Sequence, residues 1–238
     1  MRTMFRLIFL LVIVSTLNAC MLDPCMDSKG NPVRTAMDVS AFHSIALQSS
    51  MEVHLSQGAD QAVVIEAPPD LVELVTLVVE DGTLSIRTEE CIAYKGTFVI
   101  HITSPDWSGI TVQGSGTVSS VTPLSAERID LQVQGSGDLR LELDADRVET
   151  LIQGSGNIIL NGRTGNLEAV IQGSGDILAA ELISGNVGVT VMGSGNVDVH
   201  CNGMLNASIM GSGDITYRGS PQKIEQEING SGSINAAP

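Results

Sequence analysis

Seven copies of Gly-Ser-Gly, beginning at Gly114, Gly135, Gly154, Gly173, Gly193, Gly211 and Gly230, divide the second half of this 238-residue chain into units of 21, 19, 19, 20, 18 and 19 residues. A short repeat with a jitter of one or two residues is the mark of a solenoid, one coil per unit, with the jitter taken up in loops. Each corner carries two glycines: Gly114 and Gly116, Gly135 and Gly137, Gly154 and Gly156, Gly173 and Gly175, Gly193 and Gly195, Gly211 and Gly213, Gly230 and Gly232. Stacked corners bring backbones close together, and at least one glycine per corner is expected to need positive φ.

The segments on either side of the corners share one grammar. Before a corner stand Ile129, Leu131 and Val133, then Val148, Thr150 and Ile152, then Leu167, Ala169 and Ile171. After a corner stand Leu139, Leu141 and Leu143, then Ile158 and Leu160. Alternation of period two with many β-branched residues predicts short strands with one face inward. Each coil is therefore expected to hold two strands, a tight Gly-Ser-Gly corner and a looser second corner. Aromatics make up only 3% of the chain, which suits thin stacked layers of Val, Ile and Leu better than a sandwich or an enzyme core. The expected fold is all-β: a right-handed parallel β-solenoid over residues 109–238, preceded by an irregular β-rich cap over residues 36–108.

Within that cap the pattern predicts strands near residues 44–48, 52–56, 61–66, 76–80, 84–88 and 97–103, with Asp81-Gly82 as a hairpin turn. Asp70 is expected to cap a short helix after Pro68-Pro69. The segment from Gln48 to Leu55 aligns with Gln134 to Leu141, with the glycines lost. Residues 20–35 look like a tether.

The first nineteen residues read as a cleaved export signal, with Arg2 and Arg6 ahead of the apolar run Leu7 to Leu17. Leu17-Asn18-Ala19-Cys20 resembles a bacterial lipobox, which implies lipidation at Cys20 and a membrane anchor. Met21 rather than Asp after that cysteine resembles the outer-membrane sorting signal. Removing residues 1–19 takes away two basic residues and leaves 10 basic against 27 acidic, a charge of −17. That surface repels nucleic acid and anionic lipid headgroups. With Cys20 acylated, three cysteines remain. Cys201 occupies the inward slot of Leu143 and is expected to be a buried thiol, which leaves Cys25 and Cys91 as the candidate disulfide.

The sequence also resembles a family of bacterial envelope proteins described as auto-transporter adhesins with a head GIN domain, a domain otherwise of unknown function. The resemblance rests on Phe42-His43-Ser44-Ile45, Val53 to Gly58, Asp81 to Ile86 and the Gly-Ser-Gly ladder, and spans roughly residues 36 to 235. It implies a solenoid-like fold and an envelope location.

Two columns are candidates for function. The residue after each corner runs Thr117, Asp138, Asn157, Asp176, Asn196, Asp214 and Ser233. A calcium column at Asp138, Asp176 and Asp214 is one reading, but the period is not that of calcium-binding nonapeptides and no second acid stands at ligand spacing. Asx-type turns that satisfy backbone N–H groups are the favoured reading. The residue before each corner runs Gln113, Gln134, Gln153, Gln172, Met192 and Met210. It falls out of the inward register and forms a candidate surface column for a ligand. No cofactor is implied. The histidines are scattered, and Gly-Ser-Gly is not the Gly-x-Ser-x-Gly elbow of hydrolases. The expected function is a non-catalytic, lipid-anchored binding module for a glycan or another envelope protein. The alternatives are a glycan-active β-helix enzyme and a structural protein assembling as a homo-oligomer through the solenoid ends.

Overall fold

The computed structural model describes residues 25–237; the export signal and Cys20 lie outside them. The chain forms a parallel β-solenoid whose coils stack in register. Two walls are built from the strands before and after each corner. The pre-corner wall runs through β2 (Ser44–Gln48), β8 (Gly109–Val112), β10 (Leu124–Gly135), β11 (Asp138–Gly154), β12 (Asn157–Gly173), β13 (Ile177–Gly193), β15 (Met204–Gly211) and β17 (Lys223–Gly230). The post-corner wall runs through β3 (Glu52–Gln57), β9 (Thr117–Ser120), the first halves of β11, β12 and β13, then β14 (Val197–Cys201), β16 (Ile215–Arg218) and β18 (Ile234–Ala236).

The inward residues named from the alternation make the core. Ile129, Leu131, Val133, Leu139, Val148, Ile152 and Ile171 are all fully buried. A single coil has no second layer to cover these side chains, so each coil depends on its neighbours. The looser corner does not interrupt the chain as expected. β11, β12 and β13 are each 17 residues long and carry the parallel ladder around the bend, with one register shift between β12 and β13 at Ile159/Asn161. The bend contains small residues that stack on one another, Ala145 on Thr164 and Thr164 on Ser184, so hydrogen bonding continues through it.

At the tight corner the first glycine has φ of 141° to 158° in every copy. A Cβ at Gly135 would stand 2.5 Å from the carbonyl oxygen of Gly114 one coil below. That oxygen accepts hydrogen bonds from Ser136 and Gly137, both at 2.9 Å. Glycine is therefore required twice over, by conformation and by the packed carbonyl.

The N-terminal end is closed differently. β6 (Thr83–Thr88) and β7 (Val99–Ser104) form one more parallel coil beside β2 and β3. Beyond it the chain reverses. β4 (Ala62–Ala67) lies antiparallel to β7, β5 (Val75–Glu80) antiparallel to β6, and β1 (Val33–Met37) antiparallel to β4. Asp81 and Gly82 both have positive φ, the conformation a two-residue hairpin needs. Ser49 takes the first-glycine slot beneath Gly114, and its carbonyl accepts from Gly116 at 3.0 Å, so the Gln48 to Leu55 segment is a coil without glycines.

The expected disulfide between Cys25 and Cys91 is present and joins the described part of the 20–35 segment to the body, where Met26 also bridges Ile92 and β1 begins at Val33. Two expectations are corrected. A short helix does form at Pro69–Val72, but Asp70 lies inside it and makes no capping bond; its carboxylate accepts instead from Ser28 Oγ at 2.8 Å. Cys201 is fully buried, yet it stacks on Ser184 in the Ala145 column rather than the Leu143 column. The register shift between Ala179 and Ile183, combined with the one between Ile159 and Asn161, moves it two places along.

Candidate functional site

The Asp/Asn column forms a hydrogen-bonded ladder between coils. Asp138 Oδ1 accepts from the backbone N–H of Asn157 at 3.2 Å and from its side-chain amide at 2.9 Å. Asn157 Oδ1 accepts from the N–H of Asp176 at 3.3 Å, and Asp176 Oδ1 accepts from the N–H and amide of Asn196 at 2.8 and 3.0 Å. Asn196 continues to Asp214 at 3.2 Å, and Asp214 Oδ1 accepts from the N–H and hydroxyl of Ser233 at 2.8 and 2.6 Å. The N–H groups satisfied belong to the next coil, so these are rungs rather than Asx turns within one coil. Alternation follows from the chemistry: a carboxylate only accepts, while an amide donates downward and accepts from above. Among the described residues no group of three or more His, Cys, Asp or Glu is placed to hold a metal ion.

The pre-corner column is likewise joined along the axis. Gln48 donates to Gln113 at 2.8 Å, Gln113 to Gln134 at 3.2 Å, and Gln153 to Gln172 at 3.0 Å. Met192 and Met210 continue the column in register, Met210 being 46% exposed. The other pre-corner outward positions make three further rows on the same face. Arg128, Arg147, Asn166 and Asn186 form the first. Asp130, Glu149, Glu168, Gly188, Asn206 and Glu225 form the second, and Gln132, Leu151, Val170, Thr190, Ser208 and Glu227 the third.

This face is not flat. Three adjoining hollows of about 370, 330 and 150 Å³ run along it and all share Glu168. Together they make a trough along the solenoid axis. In the N-terminal half its charges are paired: Arg128 meets Asp130 at 3.2 Å and Glu149 at 2.7 Å, and Arg147 meets Glu149 at 2.6 Å. Toward the C-terminus the floor drops at Gly188, and the Glu168 carboxylate lies over the space a side chain there would fill. Thr190 and Ser208 continue the floor, half-buried. Lys223 pairs with Glu225 at 2.5 Å, and Glu227 accepts from Asn229 at 3.0 Å.

Sequence reasoning singled out the Gln/Met row but missed the floor beside it. Its signal was present in the second row, where the acidic series of Asp130, Glu149 and Glu168 gives way to Gly188. Elsewhere, burial pushes the Cys201 thiol up. A polar cluster at the cap end joins His54 to Glu52 at 2.7 Å and His101 to Glu66 at 3.0 Å, with Arg34 at 2.9 Å from Glu66. The Arg34 hydrogen bond, with that of His101, holds the Glu66 carboxyl below its usual range.

A family model described as "Putative auto-transporter adhesin, head GIN domain" matches residues 41–221. The chain belongs to this family. A solved "putative adhesin" from Bacteroides fragilis is similar in fold, with a TM-score of 0.83 and 23% identity, over 89% of this chain and 100% of that one. A "putative adhesin" from Parabacteroides distasonis gives a TM-score of 0.74 at 23% identity over 89% and 99%. A "putative lipid binding protein" from the same organism gives 0.70 at 24% identity over 90% and 99%. At these identities the likeness is one of fold. No curated protein matches the chain. Membership of this adhesin-like family points to the cell surface or envelope.

Proposed function

We propose that this head GIN protein is a non-catalytic binding module of the bacterial envelope, anchored in the outer membrane by lipid at Cys20, and that its ligand docks along the trough of the pre-corner face. The observation that carries this reading is the continuity of the three hollows through Glu168. A site that extends over successive coils is the kind of surface a solenoid provides. A catalytic role for Asp138, Asp176 and Asp214 finds little support, because each carboxylate already accepts hydrogen bonds from the next coil. The family's adhesin description agrees with binding.

The test is a binding screen of the purified protein against fractionated envelope material and glycans, repeated with Thr190→Arg in the trough and with Leu178→Ser on the post-corner face. Saturable binding weakened by the first change and not the second supports the reading. Binding that ignores Thr190→Arg defeats it.

A second reading is assembly through the C-terminal end. β17 is exposed along its whole length, and Ile224 and Ile228, in the inward register, are 40% and 44% exposed. Such an edge can pair with another strand. Sedimentation across a wide concentration range checks it, and a strictly monomeric protein discards it.

A further inference from the structure

The trough's lining is selective about chemistry. Protein interfaces are enriched in aromatic anchors and depleted in Glu, Asp and Ser at their centres. This floor is the reverse: Glu168, Asn206, Ser208 and Glu227 around Gly188 and Thr190, with no aromatic side chain among its lining residues. An apolar ligand would want an enclosed apolar pocket, whereas these hollows are open and their C-terminal part is lined by hydroxyls, amides and carboxylates. Anionic polymers meet Glu168, Glu225 and Glu227 there, and the nearby Lys223 is already paired with Glu225. The face also cannot extend a peptide strand, because its backbone groups are engaged in the parallel ladder between neighbouring coils.

Shape adds a second constraint. The row from Asp130 to Glu225 crosses six successive coils, and five steps of about 4.8 Å give a trough of about 24 Å. Within it, among the described residues, no side-chain hydrogen bond ties Glu168, Thr190 or Ser208 to a neighbour. Thr150 reaches only the backbone oxygen of Glu168, and Asn206 makes a single 3.7 Å contact with the Met204 sulfur. Their acceptors and donors are free for an incoming ligand. By contrast, several amides of the flanking Gln column are joined to one another.

Building on the binding role proposed above, we infer that the ligand is an uncharged, hydroxyl-rich polymer, a neutral glycan chain lying parallel to the solenoid axis and hydrogen-bonded to Glu168, Thr190, Asn206, Ser208 and Glu227. Sugar hydroxyls donate to the two carboxylates and exchange hydrogen bonds with the amide and hydroxyls. No covalent step is involved.

The experiment uses the full-length protein in a sugar-free detergent, titrated calorimetrically with size-graded neutral gluco-, manno- and galacto-oligosaccharides, a chitosan oligomer, and alginate. At least one neutral series is expected to bind, with affinity rising with length until the oligomer spans the trough and then levelling. Ser208→Trp, which fills the floor, should weaken binding at least tenfold, and Glu168→Gln several-fold. Leu178→Ser should leave binding unchanged, and circular dichroism should show all three variants folded. The inference is overturned if alginate binds better than every neutral series, or if chitosan binds alone and is released by salt. It is equally overturned if neutral binding is blind to both Ser208→Trp and Glu168→Gln. If envelope proteins, and no glycan, bind in a Ser208→Trp-sensitive way, the glycan inference fails while the trough remains the binding site.

Discussion

The alternation of Asp and Asn on the corner column makes a quantitative prediction for Asn157→Asp. The change keeps an acceptor for the N–H of Asp176, now 3.3 Å from Asn157 Oδ1, but removes the donor to Asp138 at 2.9 Å. It also sets three carboxylates in line, spaced by about 4.8 Å. Each new neighbour costs about 1 kcal/mol in a water-like dielectric and about 3 kcal/mol at an effective dielectric of 20. Adding about 1 kcal/mol for the lost hydrogen bond, the total is about 3 kcal/mol at the lower limit. Asn157→Ala removes the bonds without adding charge and should cost about 1–2 kcal/mol. Asp176→Asn, which leaves every acceptor in place, should stay within about 1 kcal/mol of the parent. Thermal unfolding by circular dichroism at low salt should therefore rank the melting temperatures parent, Asp176→Asn, Asn157→Ala, Asn157→Asp. The gap between the last two should shrink at 1 M salt, where screening reaches about 3 Å, and close as pH falls below the carboxylate range. A gap insensitive to both salt and pH would falsify the ladder argument.

Three further outcomes follow from single sites. Gly154→Ala should cost more than about 3 kcal/mol or prevent folding, since φ is 144° and a Cβ would meet the Gly135 carbonyl; Ser155→Ala, on an exposed side chain, should change stability by no more than about 0.5 kcal/mol. Cys25→Ser should destabilise by about 4 kcal/mol, the loop-entropy value for a 66-residue separation, with hydrogen exchange rising in the cap before the repeats. Glu66 has a folded-state pKa lowered by Arg34 and His101, so its contribution is present above its unfolded pKa and is lost as pH falls through the folded one. Glu66→Gln should flatten the acid limb of the stability–pH curve, and an unchanged limb would contradict the pairing.

The repeat region was legible because two independent signals agree there. Glycine spacing sets the corners, and period-two alternation sets the inward face, so residues such as Leu131 and Ile152 are found buried where the pattern places them. In the cap the strands were legible, but their pairing was not. β4 and β7 have similar alternation, yet β4 runs antiparallel to both its neighbours while β7 runs parallel to β3 and antiparallel to β4, a choice settled by the chain reversal between Gln57 and Ala62. The Cys201 register was misread because a shift at Ala179/Ile183 leaves no mark in composition. The trough was missed for a related reason: it arises from side-chain size across a row, as at Gly188, and rows are visible only once registers are known.

Register also localises the site within the trough. Three rows change character at the same level of the stack. On β13 and β15 the acidic row passes from Glu168 to Gly188 and Asn206, the third row from Val170 to Thr190 and Ser208, and the corner row from Gln172 to Met192 and Met210. Inward positions at that level do not change in kind: Val187, Val189, Val191, Leu205 and Ile209 remain buried aliphatics. Core packing therefore does not demand the change on the outer face, and the corner and ladder positions continue through it undisturbed at Gly193, Gly211, Asn196 and Asp214. The two kinds of surface divide the work. The Asp/Asn ladder and the glutamine column hold coil to coil, while β13 and β15 present the Thr190 and Ser208 hydroxyls, which among the described residues make no side-chain hydrogen bond within the stack. Substitutions on β13 and β15 should accordingly act on binding, and substitutions of Gln134 or Gln153 on stability alone.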